Sequence, residues 1–180
     1  MVRGRMYVSC VAAVACIALV TLAPTAALAA RSSQRAALAS LELSVVDQIN
    51  LIRIAHGLVP LTPSPGLIDA ATAHCEQMIS DGFFAHTSAT GVSFAARVAR
   101  YYPAAGKVYY SVGENILWSA ATIDGSDVIG QWMQSPEHRA NILSPKWRQI
   151  GVAAFTVPDA QGAFGGQTVT IVTTDFGVRV

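Results

Sequence analysis

Cys10 and Cys16 lie in an apolar N-terminal stretch, and Cys75 is the only cysteine that follows it. Arg3 and Arg5 open the chain, an apolar run extends from about residue 6 to 22, and Pro24 precedes Ala27-Leu28-Ala29. That pattern is a secretory signal with a small-residue cleavage site after Ala29. The rival reading, an uncleaved anchor, asks for about 20 apolar residues, and this run is slightly short of that. Cys16 follows Ala13-Val14-Ala15, a poor lipoprotein site. With residues 1–29 removed, the exported chain keeps a single thiol, so no disulfide can form within it even where export would permit one. Its stability must come from packing, and about 150 residues suffice for one domain with a sizeable core. The expected organisation is a signal peptide at 1–29, a short tether at 30–40 and one domain at 41–180. The product is secreted or periplasmic, with no stable transmembrane anchor after cleavage. Cleavage takes two of the 12 basic side chains and none of the 11 acidic ones, moving the formal charge from +1 to −1. No basic stripe remains, so nucleic acid is not an expected partner.

Apolar residues at Leu38, Leu41, Val45, Ile49 and Ile52 predict an amphipathic helix from Ala37 that stops near Gly57. A second helix is expected over residues 67–80, with His74 on its apolar stripe as a packed core histidine. A third is expected over 93–101 and a strand over 108–112, leading into Gly113-Glu114-Asn115. Asp124 or Ser126 can cap a fourth helix through Val128, Ile129, Trp132 and Met133. In the stretch SPEHRANIL, Ser135 suits an N-cap and Pro136 the first helical position, which places Glu137 and His138 in the first turn. Residues 150–155 and the Thr/Val-rich run 168–174 read as antiparallel strands joined through a Gly-rich turn at 162–166. Helices early and strands late predict an α+β domain with helices packed on a small sheet.

Three segments set an ionisable residue beside turn-forming ones: Phe83-Phe84-Ala85-His86, Gly113-Glu114-Asn115 and Ser135-Pro136-Glu137-His138. Taken singly, each is ordinary. Taken in order with Asn50-Leu51-Ile52-Arg53, Ala70-Ala71, Trp132, Ile150-Gly151-Val152 and Asp175-Phe176-Gly177, they resemble the CAP superfamily. That is the group of cysteine-rich secretory proteins, antigen 5 and pathogenesis-related class 1 proteins, here in the compact bacterial-type SCP form. The resemblance covers residues 45–177. It implies a three-layer α-β-α sandwich with a small, mainly antiparallel sheet, and a central cleft that usually holds two histidines and two glutamates. Carried over by position, His86 and His138 match the histidines and Glu114 one glutamate. The place of the second glutamate holds Ser135, and Glu137, two residues on, is a weak substitute.

Two imidazoles and a carboxylate are credible ligands for Zn²⁺ or another divalent cation. His86, His138 and Glu114 are therefore the candidate metal ligands and also the candidate catalytic cluster, with Glu137 appended. The expected function is a secreted domain whose His/Glu cleft binds a lipid, sterol or cell-envelope component. Phe84, Tyr109, Tyr110 and Trp118 are expected to line that cleft. The alternative is a metal-assisted extracytoplasmic hydrolase acting on cell-envelope, peptide or phosphodiester bonds. No nucleophile is evident, since Cys75 lies mid-helix and no Gly-x-Ser-x-Gly elbow exists.

Overall fold

The computed structural model of the protein describes residues 23–180, with side chains from residue 28. The expected signal therefore falls mostly outside the described residues. Helix α1 spans Ala23–Ala55, so it begins within the segment expected to be cleaved and continues through the expected tether. Residues 28–37 are helical yet all exposed. The reason is local: residues 26–37 include six alanines, Pro24 falls in the first turn where it does no harm, and no breaker follows before Gly57. The amphipathic pattern takes over where predicted, with Leu41, Val45 and Ile49 buried. Among the described residues, no helix is long and apolar enough to cross a membrane.

After α1 come a two-residue strand β1 (Thr62–Pro63), α2 (Pro65–Asp81), α3 (Phe94–Val98), β2 (Tyr110–Ser119), α4 (Gly125–Gln134), α5 (Pro136–Ile142), β3 (Gln149–Ala160) and β4 (Gln167–Arg179). A 3-10 turn at Gly162–Phe164 joins β3 to β4. The sheet order is β1-β3-β4-β2, antiparallel except for the β1–β3 pair. The expected late hairpin is thus present, and the Gly-Glu-Asn segment lies inside β2 rather than in a turn after it. Asp124 caps α4 and forms a capping box with Asp127. Ser135 occupies the cap position of α5, but its hydroxyl bonds the Glu137 carboxylate (3.3 Å) instead of a backbone amide.

The period-2 alternation of the strands divides the core in two. Ile150, Val152 and Ala154 of β3 with Val172, Phe176 and Val178 of β4 pack against α1, α4 and α5, around the buried Trp132 and Trp147. Ala153 and Ile171 face the other way, against Ala71, Cys75 and Met78 of α2. α2 and α3 share a third cluster through Leu67, Ala70, Val98 and Tyr102. This is the α-β-α sandwich, held without a disulfide: Cys75 is a buried free thiol. Arg53 is wholly buried and donates to the carbonyls of Val59 (3.0 Å), Ile142 (2.8 Å) and Ser144 (2.9 Å). It ties α1 to the end of α5, so the arginine of the Asn-Leu-Ile-Arg segment is architectural.

Candidate functional site

Because β2 is an edge strand with alternating faces, Glu114 and Asn115 point to opposite layers. Asn115 turns toward α5, where its Nδ2 donates to the His138 carbonyl (3.1 Å) and its Oδ1 accepts from Asn141 Nδ2 (2.9 Å). Asn141 also donates to the Glu114 carbonyl (3.0 Å). These three bonds dock the first turn of α5 on β2 and set where His138 stands. Gly113 is required beside them, because a Cβ there would come within 2.6 Å of the Trp147 ring.

Glu114 turns toward α2 and α3, and its side chain is fully buried. Its Oε1 accepts from His86 Nδ1 (2.8 Å), and its Oε2 is held by Arg97 Nη2 (2.5 Å). The same Arg97 nitrogen donates to the His86 carbonyl (3.3 Å). Burial opposes ionisation of Glu114, but the His86 hydrogen bond and the Arg97 charge outweigh it and hold the carboxyl below its usual range. Directly across the strand pair stands Asp175, completely buried, with neither oxygen hydrogen-bonded. Burial and the adjacent Glu114 carboxylate push its carboxyl well above the usual range. Between the two, ionisation is favoured at Glu114 and opposed at Asp175.

His74, expected only as a core histidine, is fully buried beneath this cluster. Its Nε2 bonds the Ala85 carbonyl (3.0 Å) and lies 3.9 Å from Glu114 Oε1. Burial lowers its pKa from 6.5 to about 4. An unfolded chain therefore binds more protons than the folded one between these values. Stability from this residue is fully present above pH about 6.5 and is lost as the pH falls toward 4. Asp175, with its carboxyl raised, contributes with the opposite sign, so the share of His74 is read in an Asp175→Asn background, where the urea midpoint should fall between pH 7 and pH 5 while His74 resonances stay those of a neutral ring. A midpoint that is constant or rises on acidification would contradict this.

Of the sequence candidates, His86 and Glu114 meet. His138 is half-buried against Trp132, with ring centroids 6.3 Å apart, and makes no side-chain hydrogen bond to either among the described residues. Burial, then the nearby His86, lower its pKa. Glu137 does not join the cluster; it is exposed at the start of α5, where a carboxylate suits the helix dipole and the Ser135 hydroxyl donates to it. The expected aromatic lining is also dispersed. Phe84 and Trp118 pack on Phe164, and Tyr110 packs on Tyr102. The rings that border the imidazoles are Phe94, 6.5 Å from His86, and Trp132. A strongly apolar slot of about 300 Å³, lined in part by Leu43, Val46, Ile68 and Val152, opens at the β1–β3 edge, the opposite side of the sheet.

Glu114 is not free to ligate a divalent ion directly, which leaves His86 Nε2 and the His138 ring as the donors such an ion could meet. Both oxygens of Glu114 are engaged, and among the described residues no three His, Cys, Asp or Glu side chains converge as a metal site. Cys75 is no nucleophile, since burial drives its thiol up to about 12. Arg97 is the residue missed by sequence reasoning. A signal existed: it lies three residues after Phe94 and beside Val98, on the apolar stripe of α3, where an unpaired charge would be costly.

A model of the cysteine-rich secretory protein family, CAP, matches residues 46–176. The uncharacterised Bacillus subtilis (strain 168) protein YkwD is 32% identical over 120 residues, covering 67% of this chain and 44% of that protein. The uncharacterised membrane protein YlbC of the same organism is 30% identical over 112 residues, covering 62% of this chain and 30% of that one. The chain thus spans less than half the length of these curated relatives. An extracellular SCP-domain protein from Bacillus anthracis str. Ames superposes with a TM-score of 0.63 at 25% identity, over 83% of this chain and 43% of that one. An outer surface protein from Borrelia burgdorferi shares the fold, with a TM-score of 0.62 at 18% identity over 75% and 90% of the two chains.

Proposed function

The chain belongs to the cysteine-rich secretory protein family, CAP, and on that premise we propose that it is an extracellular binding domain rather than a hydrolase. Its ligand is a lipid, sterol or envelope component whose polar group is anchored between His86 and His138. The observation that carries this reading is the posture of His86. Glu114 holds Nδ1 from beneath, yet 47% of the side chain remains exposed. An anionic acceptor at Nδ1 fixes the N–H there and leaves Nε2 as a bare acceptor for a hydroxyl or other donor. Phe94 and Trp132 border the two imidazoles and offer apolar contact to the adjoining part of a ligand. Export is supported by the N-terminal pattern and by the extracellular relative. Metal-assisted hydrolysis, by contrast, would need a general base beside the ion, and Glu114, the carboxylate of the cluster, is already committed on both oxygens.

The test is a fluorescence titration of the purified chain with a fluorescent sterol and a fluorescent fatty acid. Saturable binding with a Kd on the order of 1 μM is expected. Replacing both His86 and His138 by Ala should weaken it by about tenfold, the equivalent of one lost polar anchor. Absence of saturable binding with both probes removes the lipid reading. Binding that survives the double replacement but is lost on Leu43→Glu places the ligand in the apolar slot at the opposite sheet edge and removes the cluster from the function.

A further inference from the structure

We propose that Arg97 is the permanent cation of this cluster: it holds the Glu114 oxygen that a divalent ion would have to take to ligate that carboxylate, and it sets which nitrogen of His86 carries the proton. The residue is 5% exposed and lies on a single helical turn, α3, whose register puts it beneath the cleft. One nitrogen, Nη2, reaches both things that fix the ring of His86. It bonds Glu114 Oε2, whose other oxygen holds Nδ1, and it bonds the backbone carbonyl of His86 itself. Arg97 Nε and Nη1 have no hydrogen-bond partner, so the Nη2 contacts are this guanidinium's only polar anchors among the described residues.

A guanidinium is not deprotonated in a protein, so its charge is present at every pH the fold survives. A metal ion, by contrast, leaves with acid or a chelator. To ligate Glu114, an incoming cation would have to displace Arg97 or His86, and in either case it would sit beside the guanidinium and be repelled by it. Together with the His86 hydrogen bond, the arginine's charge holds the Glu114 carboxyl below its usual range where burial alone would raise it. An anionic Glu114 can only accept, so Nδ1 is the donor in this contact, and whenever the ring is neutral its one proton sits there. Arg97 is therefore a positioning residue, acting on His86 through Glu114. The function proposed above draws on the same His86 tautomer, whereas this inference needs no bound lipid, so failure of the lipid titration alone leaves it standing.

The experiment is nitrogen-15 NMR of the histidine rings of the full chain at neutral pH, before and after Zn²⁺ in about tenfold excess, with Arg97→Lys and Arg97→Met alongside. The expected wild-type result is His86 with a proton on Nδ1 that Zn²⁺ does not displace. Arg97→Lys keeps the cation and should keep the tautomer; Arg97→Met should mix the two tautomers. If Arg97→Met does not fold, the wild-type and Arg97→Lys spectra decide. One-to-one Zn²⁺ binding that strips the proton from His86 Nδ1, as an ion seated on Glu114 would, overturns the proposal. So does a wild-type His86 with Nδ1 bare, or a folded Arg97→Met whose His86 tautomer is unchanged.

Discussion

Replacing Glu114 by Gln is expected to lower the unfolding free energy by about 3 kcal/mol at neutral pH, the lower end of what breaking a buried ion pair costs. The substitution keeps the shape and removes the charge. Arg97, almost wholly buried, then loses its counter-ion, and the side chain that fixes His86 Nδ1 becomes neutral. The loss stays at the lower end because Asp175, the cross-strand neighbour, can give up its proton once Glu114 no longer repels it. That compensation has a signature. Asp175→Asn alone should cost less than Glu114→Gln, whereas the double variant should lose more than the sum of the two, since no carboxylate then remains for Arg97. Urea unfolding of the four proteins at pH 7 measures the cycle. Additive losses would show that the two carboxyls do not share one charge.

Gly151→Ala should be equally severe for a different reason. Gly151 pairs with Asp175, which pairs with Glu114, so the three residues form one row across the sheet beneath α2. A Cβ at position 151 would lie 2.1 Å from the Leu67 carbonyl carbon and 2.2 Å from the Ile68 nitrogen. Both are backbone atoms in the first turn of α2, so no rotamer change relieves the contact and the whole helix must lift. Overpacking of this kind costs about 3 kcal/mol, which for a domain of this size lowers Tm by roughly 6–12 °C. Lifting α2 also thins the cover over Asp175 and Glu114, so amide exchange on the α2 side of the sheet should speed up with the loss of stability. A Tm change under about 2 °C would mean that α2 is free to slide, which the buried Leu67, Ala70, Ala71 and Met78 argue against.

The stability of both neighbourhoods rests on contacts that a linear reading sees unevenly. The α1 stripe, the Asp124 cap and the late antiparallel pair are legible because each is written in local spacing. The stretch expected as a tether is helical because exposure and helicity are independent: an alanine-rich run is helical without burying anything. His86 and Glu114 are legible as partners only through the family resemblance, since 28 residues separate them. Glu137 illustrates the converse. Its position in a first turn already favours a role as a local charge, and it stays there.

What the sequence determined by itself was the class of solution: an α+β fold, with its helix starts, its strand pair and two of the groups that meet at the cleft. What only the tertiary structure decided was who surrounds Glu114. The β2–β4 register sets Asp175 opposite it, α3 brings Arg97 up from 17 residues away, and α2 places His74 below. Periodicity fixes which face a side chain takes, but not which elements close over that face. In a buried site, those closing elements decide which group is charged, which is neutral and which nitrogen is left bare.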